Sequence, residues 1–423
     1  DIPQQMAIGL PLRNVSWRPP KTHFELPAGP GLAVFDGRIA KDSVNGDFTQ
    51  AGFAGTFRLE RGKDVRTAPP EAAVPPPYRE EEIAFKSGEF NVAGTLTVPP
   101  GGGKHPAVIL ITGSGAHNRD EELLGFRPFR IIADHLTRHG IAVLRWDDRG
   151  IGSSGGNKSL STTADHAQDV LAGVKFLRAR PDINPEAIGL LGHSEGGLIA
   201  PIVAGLSRDI AFIVLMAGPA VTGERLVCFQ IETQMRGAKA GEEEIRKALS
   251  EQHRVFACVR ADTGWDGLAL MFKKEAASGY SAMPAERKKA ITDSASFVNA
   301  RGAAMMGGVR VPWLKYFIDC DPVPALEKVS SPVLALFGEL DMQVPVSLNR
   351  APMEAALARS RTKDWKVEIV PKANHLFIRA VTGLPSEYAG LEKVFVPGFL
   401  DLVTEWITKR VPVLTGGAGE RGN

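Results

Sequence analysis

From residue 80 onward, short apolar runs recur along the chain, separated by longer segments of mixed polarity. The runs lie at residues 107–111, 141–146, 187–191, 211–216, 332–337 and 365–370. The first five are nearly all apolar, as expected for strands buried on both faces of a parallel sheet. The last alternates apolar with polar residues, which predicts a strand nearer the edge of the sheet.

Segments between these runs carry apolar residues at helical spacing. They include Phe129, Ile132, Ala133 and Leu136 in one segment, and Val170, Val174 and Leu177 in another. Each segment would present one apolar face to a sheet. Thr162 followed by Asp165 resembles a capping box, which predicts where the second helix begins. The alternation of strands and helices indicates an α/β fold with a doubly wound, mainly parallel sheet.

Shifts in composition divide the chain into predicted regions. Short runs punctuated by Gly and Asp favour antiparallel strands in the first part, and five prolines after it favour an extended connector. The long interval between the fourth and fifth apolar runs exceeds an ordinary connection and carries charged helical stretches. The predicted regions are a β-rich N-terminal region at 1–62, a Pro-rich linker at 63–80, an α/β domain at 81–218 and 331–412, a helical lid insertion at 219–330 and a flexible tail at 413–423.

Composition narrows the classes of partner. The 423 residues include 50 Lys and Arg against 48 Asp and Glu, and this formal charge of +2 gives no reason to expect nucleic acid or an anionic membrane as partner. The longest apolar stretch, 210–221, falls short of the ~20 residues that span a bilayer. Cys228, Cys258 and Cys320 show neither a C-x-x-C pair nor zinc-ligand spacing, so no disulfide framework or metal site is predicted. A small-molecule substrate is expected.

The chain begins at Asp1 rather than Met. A signal peptide could have preceded it, so the compartment stays open, with export favoured over the cytoplasm. The oligomeric state also stays open.

Two segments match the pattern G-x-S-x-G, at residues 192–196 and 152–156. Ser194 follows an apolar strand and precedes a helical run, which is the setting of a nucleophile elbow. Ser154 is followed by a polar stretch instead, and the next predicted helix begins only near Thr162. Flanking glycines let the chain turn sharply and place the hydroxyl at a helix N-terminus. Ser194 is therefore the predicted nucleophile.

A serine hydroxyl needs a base to take its proton and a carboxylate to orient that base. Where a serine on such an elbow is catalytic, the acid and then the histidine come after it in the chain. His253 lies in the charged insertion, whereas His375 lies in a loop after the last strand. Asp341 lies just beyond the strand at 332–337, with Glu339 as its main competitor. His375 and Asp341 are the predicted base and acid.

Backbone N–H groups must already be in position where negative charge develops on the carbonyl oxygen of the substrate. Their positions in the sequence make two amides the candidates for this role. One belongs to Glu195, directly after the predicted nucleophile, and the other to the Gly-rich loop after the strand at 107–111. Ser114 is the first choice in that loop and Gly115 the second. For substrate contacts, aromatic and methionine residues of the insertion could wall an acyl pocket, although such residues are more often core. They are Trp313, Tyr316 and Phe317, together with Trp265, Met305 and Met306.

A competing motif, G-x-G-x-x-G, lies at residues 150–155 after a predicted strand. It suggests a dinucleotide-binding reductase, but pyrophosphate binding requires a helix that begins at the glycines. The sequence predicts no helix there. No Walker A and no H-E-x-x-H sequence occurs either, so nucleotide and zinc chemistry are both disfavoured.

Taken in order, these motifs resemble those of bacterial α/β-hydrolase esterases related to the serine aminopeptidase and prolyl-oligopeptidase-like branches. The resemblance covers residues 83–410. It rests on Thr-Gly-Ser-Gly at 112–115 with Asn-Arg-Asp at 118–120, Asp-Asp-Arg-Gly-Ile-Gly-Ser-Ser at 147–154, the elbow at 192–196, Gly-Glu-Leu-Asp at 338–341 and Asn-His-Leu-Phe at 374–377. It implies an α/β-hydrolase fold, the triad Ser194, Asp341 and His375, and carboxylesterase activity on small acyl esters.

Four functional hypotheses are compatible with these motifs. The first is a serine carboxylesterase that needs no cofactor and forms an acyl-enzyme on Ser194. The second is a peptidase or amidase with the same triad, because that triad also cleaves amides. The third is a dinucleotide-binding reductase, and the fourth is a hydrolase fold without activity that serves as a binding module.

Overall fold

Residues 12–28, 31–50, 53–60, 76–288, 291 and 293–413 are described by a computed structural model of the chain. They divide into two units. The first takes in the residues up to Pro75 together with His253–Val311, and the second Pro76–Gln252 together with the residues from Pro312 onward. Most of the predicted linker, 63–75, and the predicted tail beyond residue 413 lie outside the described residues.

The first unit contains a five-stranded antiparallel sheet in which each strand pairs with the next in sequence. Phe24 stacks on Phe35 with ring centroids 4.6 Å apart, and Phe57 meets Phe35 edge-on at 5.3 Å. The prediction of a β-rich N-terminal region with antiparallel strands is confirmed. The strands are β1 Arg13–Arg18, β2 Lys21–Ala28, β3 Gly31–Ala40, β4 Ser43–Gln50 and β5 Phe53–Glu60.

The second unit is built on an eight-stranded sheet. Its strands are β6 Arg79–Ser87, β7 Phe90–Val98, β8 His105–Ile111, β9 Ala142–Trp146, β10 Ile183–His193, β11 Phe212–Met216, β12 Val333–Gly338 and β13 Trp365–Val370. Their order across the sheet is β13-β12-β11-β10-β8-β9-β7-β6. Strands β8 to β13 pair in parallel, and the hairpin of β6 and β7 joins them antiparallel at one edge.

Burial along the strands explains the hydrophobic pattern of the sequence. β8, β9, β11 and β12 are buried along their whole length, because helices cover both faces of the parallel part of the sheet. β13 is mostly half-buried and lies at the edge of the sheet, as its alternating sequence predicts. The mainly parallel α/β fold is confirmed.

Helices fill the intervals between the strands. They are α1 Pro128–Arg138, α2 Thr163–Arg178, α3 Gly196–Leu206, α4 Gly223–Gly237, α5 Glu242–Ala261, α6 Trp265–Ala282, α7 Ala285–Lys288, α8 Ser294–Val309, α9 Pro312–Phe317, α10 Val323–Lys328, α11 Val346–Arg359 and α12 Phe399–Thr408. The predicted capping box is present at α2: the Thr162 N–H donates to Asp165 Oδ2 at 2.8 Å, and the Asp165 N–H donates to Thr162 Oγ1 at 3.3 Å. The apolar residues that predict α1 and α2 are buried.

The interval between β11 and β12 contains α4 to α10, in keeping with its helical sequence pattern. It does not form a unit by itself. Residues 253–311 belong to the first unit, whereas α4, α9 and α10 belong to the second. The part that lies with the sheet matters for the site, because α9 approaches the residues just after β10.

Candidate active site

Ser194 occupies a sharp turn between strand β10 and helix α3. Its backbone φ of +53° lies in the left-handed region, which a non-glycine residue adopts only where surrounding contacts hold it. The Ser194 N–H donates to the carbonyl of Met216, and the Ser194 carbonyl accepts from the Gly197 N–H, both at 2.8 Å. Ser194 is half-buried between two buried neighbours, so its side chain keeps access to solvent.

Glycines make this turn possible by close approach of backbone to backbone. A Cβ on Gly192 would lie 2.0 Å from the carbonyl oxygen of Gly196, and one on Gly196 would lie 2.2 Å from the carbonyl oxygen of Ile111. Neither position accepts a side chain unless the turn opens. The strand-turn-helix setting inferred from the sequence is present at Ser194.

Asp341 and His375 lie in the loops after β12 and β13. Because β10, β12 and β13 run parallel, the C-terminal ends of these strands lie on the same side of the sheet, and both loops lie there together with Ser194. His375 Nδ1 lies 2.8 Å from Asp341 Oδ2. The two loops are joined by a hydrogen bond from the Leu340 N–H to the Ala373 carbonyl at 2.8 Å.

The Asp341 carboxylate is fully enclosed. Its Oδ1 accepts from the backbone N–H groups of Gln343 at 2.8 Å and Val344 at 2.9 Å. Burial raises the pKa of this carboxyl, but the charge and hydrogen bond of His375 and the two amides outweigh burial, so the pKa lies below its usual range. Asp341 is therefore ionised at neutral pH and can orient an imidazole.

The competing candidates lie elsewhere. Glu339 is exposed, and its Oε2 accepts from the Lys372 N–H at 2.8 Å. His253 lies on α5, where its ring meets Phe256. Of the two carboxylates considered, Asp341 is the one bonded to His375.

The loop after β8 runs beside the nucleophile. A Cβ on Gly113 would lie 3.2 Å from the Cβ of Ser194. Ser114, the next residue, is exposed, and its carbonyl lies 2.9 Å from His117 Nε2. Glu195 directly precedes α3, as its N-cap residue, and is 2% exposed. The loop that carries one predicted oxyanion amide thus runs beside Ser194, and the residue that carries the other directly follows Ser194 in the chain.

Glu121 and His193 form a buried contact that the sequence alone does not predict. His193 Nδ1 lies 2.9 Å from Glu121 Oε1, and this oxygen also accepts from the Gly113 N–H at 2.6 Å. His193 Nε2 lies 3.0 Å from the carbonyl oxygen of His375. His193 belongs to the elbow motif itself, and this is the one signal in the sequence that draws attention to it.

Ion pairs anchor the glycine loop after β9. Arg119 Nη2 lies 2.8 Å from Asp147 Oδ2, and Arg149 Nε lies 2.6 Å from Asp169 Oδ2 on α2. A Cβ on Gly152 would lie 2.4 Å from Asp147 Oδ2. This glycine therefore makes room for the Asp147 carboxylate. The next α-helix begins only at Thr163, so the loop lacks the helix start that pyrophosphate binding requires.

Ser154, the serine of the second G-x-S-x-G match, is buried and fully engaged. Its hydroxyl donates to the Asp147 carbonyl at 2.6 Å and accepts from the Ala93 N–H at 2.9 Å. We expect Ser154→Ala to lower the free energy of unfolding by about 1–3 kcal/mol, because it removes the hydroxyl that accepts from the part-buried Ala93 N–H and donates to the Asp147 carbonyl. Urea unfolding measures this, with the exposed neighbour variant Ser153→Ala as control. Equal stability of the two variants would contradict the assignment.

The three residues proposed to line a substrate pocket are not all brought together. The Trp313 indole N–H donates to Glu195 Oε1 at 2.8 Å, and its ring stacks on Phe317 with centroids 4.7 Å apart. Tyr316 instead lines a surface groove of about 520 Å³ beside Ile202. Neither Trp313 nor Phe317 lines that groove. Trp265, Met305 and Met306 belong to the first unit.

The described residues contain neither a candidate metal site nor a candidate membrane span. Across the described ranges, no group of three or more His, Cys, Asp and Glu side chains is arranged to hold a metal ion. Among the helices bounded above, none combines the length and apolar character needed to cross a bilayer.

Residues 126–379 match the family model described as serine aminopeptidase, S33. The match covers more than half of the chain. It contains Ser194, Asp341 and His375.

Curated proteins with related sequences include esterase EstD of Thermotoga maritima, 30% identical over 186 residues, which are 44% of this chain and 43% of EstD. Acyl-coenzyme A thioesterase 1 of Rattus norvegicus is 26% identical over 189 residues, 41% of this chain and 42% of the thioesterase. The chain therefore spans less than half the length of these relatives. A solved Pyrococcus furiosus esterase is 17% identical with a TM-score of 0.46, over 79% of this chain and 91% of that one.

Proposed function

The chain belongs to the serine aminopeptidase S33 family of α/β-hydrolases, and from this premise we propose that it is a serine carboxylesterase acting on small acyl esters. One observation carries the proposal. The ionised, buried Asp341 is hydrogen-bonded to His375 at the C-terminal ends of the strands, where Ser194 is held on a strained turn. These are the parts that activate a serine hydroxyl.

In the proposed reaction, Ser194 Oγ attacks the carbonyl carbon of the ester while His375 Nε2 takes the hydroxyl proton. The carbonyl oxygen becomes an oxyanion, which the backbone amides of Ser114 and Glu195 stabilise. When the tetrahedral intermediate collapses, the bond to the alkoxide breaks and His375 returns the proton to that oxygen. Water then attacks the acyl-enzyme, again with His375 as base, and releases the carboxylic acid and free Ser194.

Asp341 has an electrostatic part in this scheme. Its Oδ2 accepts a hydrogen bond from the His375 Nδ1–H, which leaves Nε2 unprotonated and able to act as the base. The negative charge also stabilises the imidazolium that forms when His375 takes a proton. Because two backbone amides hold Oδ1, the carboxylate stays in place through both halves of the reaction.

Two further substrate classes compete with esters. The family description names an aminopeptidase, which favours amides as the alternative. The similarity to an acyl-coenzyme A thioesterase favours thioesters. All three substrates share an acyl carbonyl and differ in the leaving group, so the same serine chemistry applies to each of them.

Matched substrates separate these classes. We expect kcat/KM for p-nitrophenyl butyrate to exceed that for butyryl p-nitroanilide by at least about 100-fold, because neither the elbow nor the His375 loop offers a side chain dedicated to a leaving amine. A butyryl thioester of the same acyl length forms the third arm. The Ser194→Ala variant supplies the background rate for each substrate. An anilide rate equal to the ester rate would replace the esterase proposal with the amidase one.

A further inference from the structure

We propose that Glu121 and His193 form a buried ion pair that positions three segments relative to one another. They are the oxyanion loop, which follows β8 and contains Gly113, the nucleophile elbow at Ser194, and the base loop, which contains His375. The inference rests on the proposed function, since it assigns two positioning residues to the same site. Neither residue touches the reacting atoms in the mechanism above. Each acts through the backbone of a neighbour.

The three loops meet at these two side chains. Glu121 Oε1 accepts from the Gly113 N–H of the oxyanion loop at 2.6 Å and contacts His193 Nδ1 at 2.9 Å. His193 directly precedes Ser194, and its Nε2 contacts the carbonyl oxygen of His375 at 3.0 Å. The rings of His193 and His375 lie 4.8 Å apart. Movement of either side chain would therefore displace all three loops.

The hydrogen-bond pattern fixes the protonation of His193. A backbone carbonyl only accepts, so Nε2 must carry a proton. Nδ1 lies beside Glu121 Oε1, and an ionised carboxylate can only accept hydrogen bonds. Nδ1 must therefore carry a proton as well. His193 is therefore an imidazolium, with a proton on each ring nitrogen.

Electrostatics agree with this assignment. Burial opposes both charges, but the attraction and hydrogen bond between the partners outweigh it: the pKa of Glu121 lies below, and that of His193 above, its ordinary value. His117 and Asp341 also act on this pair. Within the described part of the chain, Glu121 Oε2 is buried without a hydrogen-bond partner. The charge of His193 is thus the main compensation for the buried carboxylate.

The backbone at Glu121 is shaped to place this carboxylate inward. Its φ of +50° is left-handed, a conformation that costs free energy for a residue with a Cβ. The Glu121 N–H donates to the carbonyl of Asn118 at 2.9 Å. The side chain of Asn118 in turn accepts from the N–H groups of Asp120 and Glu122 through Oδ1. The turn therefore holds a strained residue whose side chain reaches the Gly113 amide.

The first test compares Glu121→Gln with Glu122→Gln in the full chain, using p-nitrophenyl butyrate. Glu122 lies on the same turn, but its carboxylate pairs with Arg127, so it serves as a matched control. We expect Glu121→Gln to lower kcat by about 100-fold with KM within about threefold, and Glu122→Gln to keep the wild-type values. Rates are expressed per serine titrated by a fluorophosphonate, which removes any contribution of unfolded protein.

A double-mutant cycle with His193→Gln tests whether the residues act as a pair. If they do, Glu121→Gln/His193→Gln will be no slower than the worse single variant. Multiplication of the two single effects would overturn the pairing. So would an unchanged kcat per titrated serine in both single variants.

Nitrogen-15 NMR of histidine-labelled wild type tests the charge independently of any variant's folding. The His193 signals, assigned by their absence in His193→Gln, should show protons on both ring nitrogens at pH 7.5. One unprotonated nitrogen would contradict the ion pair. Failure of the function looks different, because wild type would then hydrolyse no ester and take no fluorophosphonate whatever the state of His193.

Discussion

Replacing Ser194 by alanine is expected to lower kcat for p-nitrophenyl butyrate by about 10⁶-fold, the scale on which loss of an activated serine acts in serine hydrolases. The physical reason is that no acyl-enzyme can form without Oγ, whereas the substrate carbonyl can still bind to the proposed oxyanion amides of Ser114 and Glu195. KM should therefore change little. Steady-state kinetics with purified wild type and variant measure both quantities.

Ser154→Ala is the matched control for this experiment, because Ser154 stands in the same G-x-S-x-G pattern. Its hydroxyl is committed to the backbone of Asp147 and Ala93, so kcat of the folded variant should stay close to wild type. A loss from Ser154→Ala as large as that from Ser194→Ala would show that the wrong elbow has been assigned.

The second large effect is expected from Asp341→Asn, which should lower kcat by about 10⁴-fold. Two backbone amides donate to the Oδ1 position, so the asparagine oxygen will occupy it and the NH₂ group will face His375. An NH₂ group there can only donate to Nδ1, which drives the ring proton to Nε2. The imidazole then presents a proton, not a lone pair, to Ser194.

Glu339→Gln provides the control for the acid, since Glu339 is the exposed carboxylate of the same loop. We expect its kcat to match that of wild type. Circular dichroism should show that Asp341→Asn keeps the native fold, because asparagine preserves the volume and both amide contacts. Full activity of Asp341→Asn, or equal losses in the two variants, would remove Asp341 from the mechanism.

The strands of the large sheet can be predicted from sequence because each is defined by burial. β8, β9, β11 and β12 lie under helices on both faces, so they require unbroken apolar runs. β13 lies at the edge and alternates. The strand-turn-helix setting of Ser194 can be predicted for a related reason. The segment after Ser194 is an apolar run that forms a helix buried along most of its length, whereas a polar loop follows Ser154.

Contacts between residues far apart in the chain leave no such trace. Glu121 and His193 are 72 positions apart, and neither the spacing nor the residue types indicate that they meet. The same holds for Trp313, whose indole reaches Glu195 118 positions earlier. Composition groups Tyr316 with Trp313. The structure separates their contacts, because Trp313 bonds to Glu195 whereas Tyr316 lines the surface groove. The pattern of the insertion predicts helices correctly and carries no information on which unit each helix joins.

Intact mass after incubation with a fluorophosphonate tests the central claim most directly, because only an activated serine forms this adduct readily. Wild type and Ser154→Ala should each gain the mass of one adduct, and Ser194→Ala should gain none. An adduct on Ser194→Ala, or no adduct on wild type, would contradict the assignment of Ser194 as the nucleophile of a serine hydrolase.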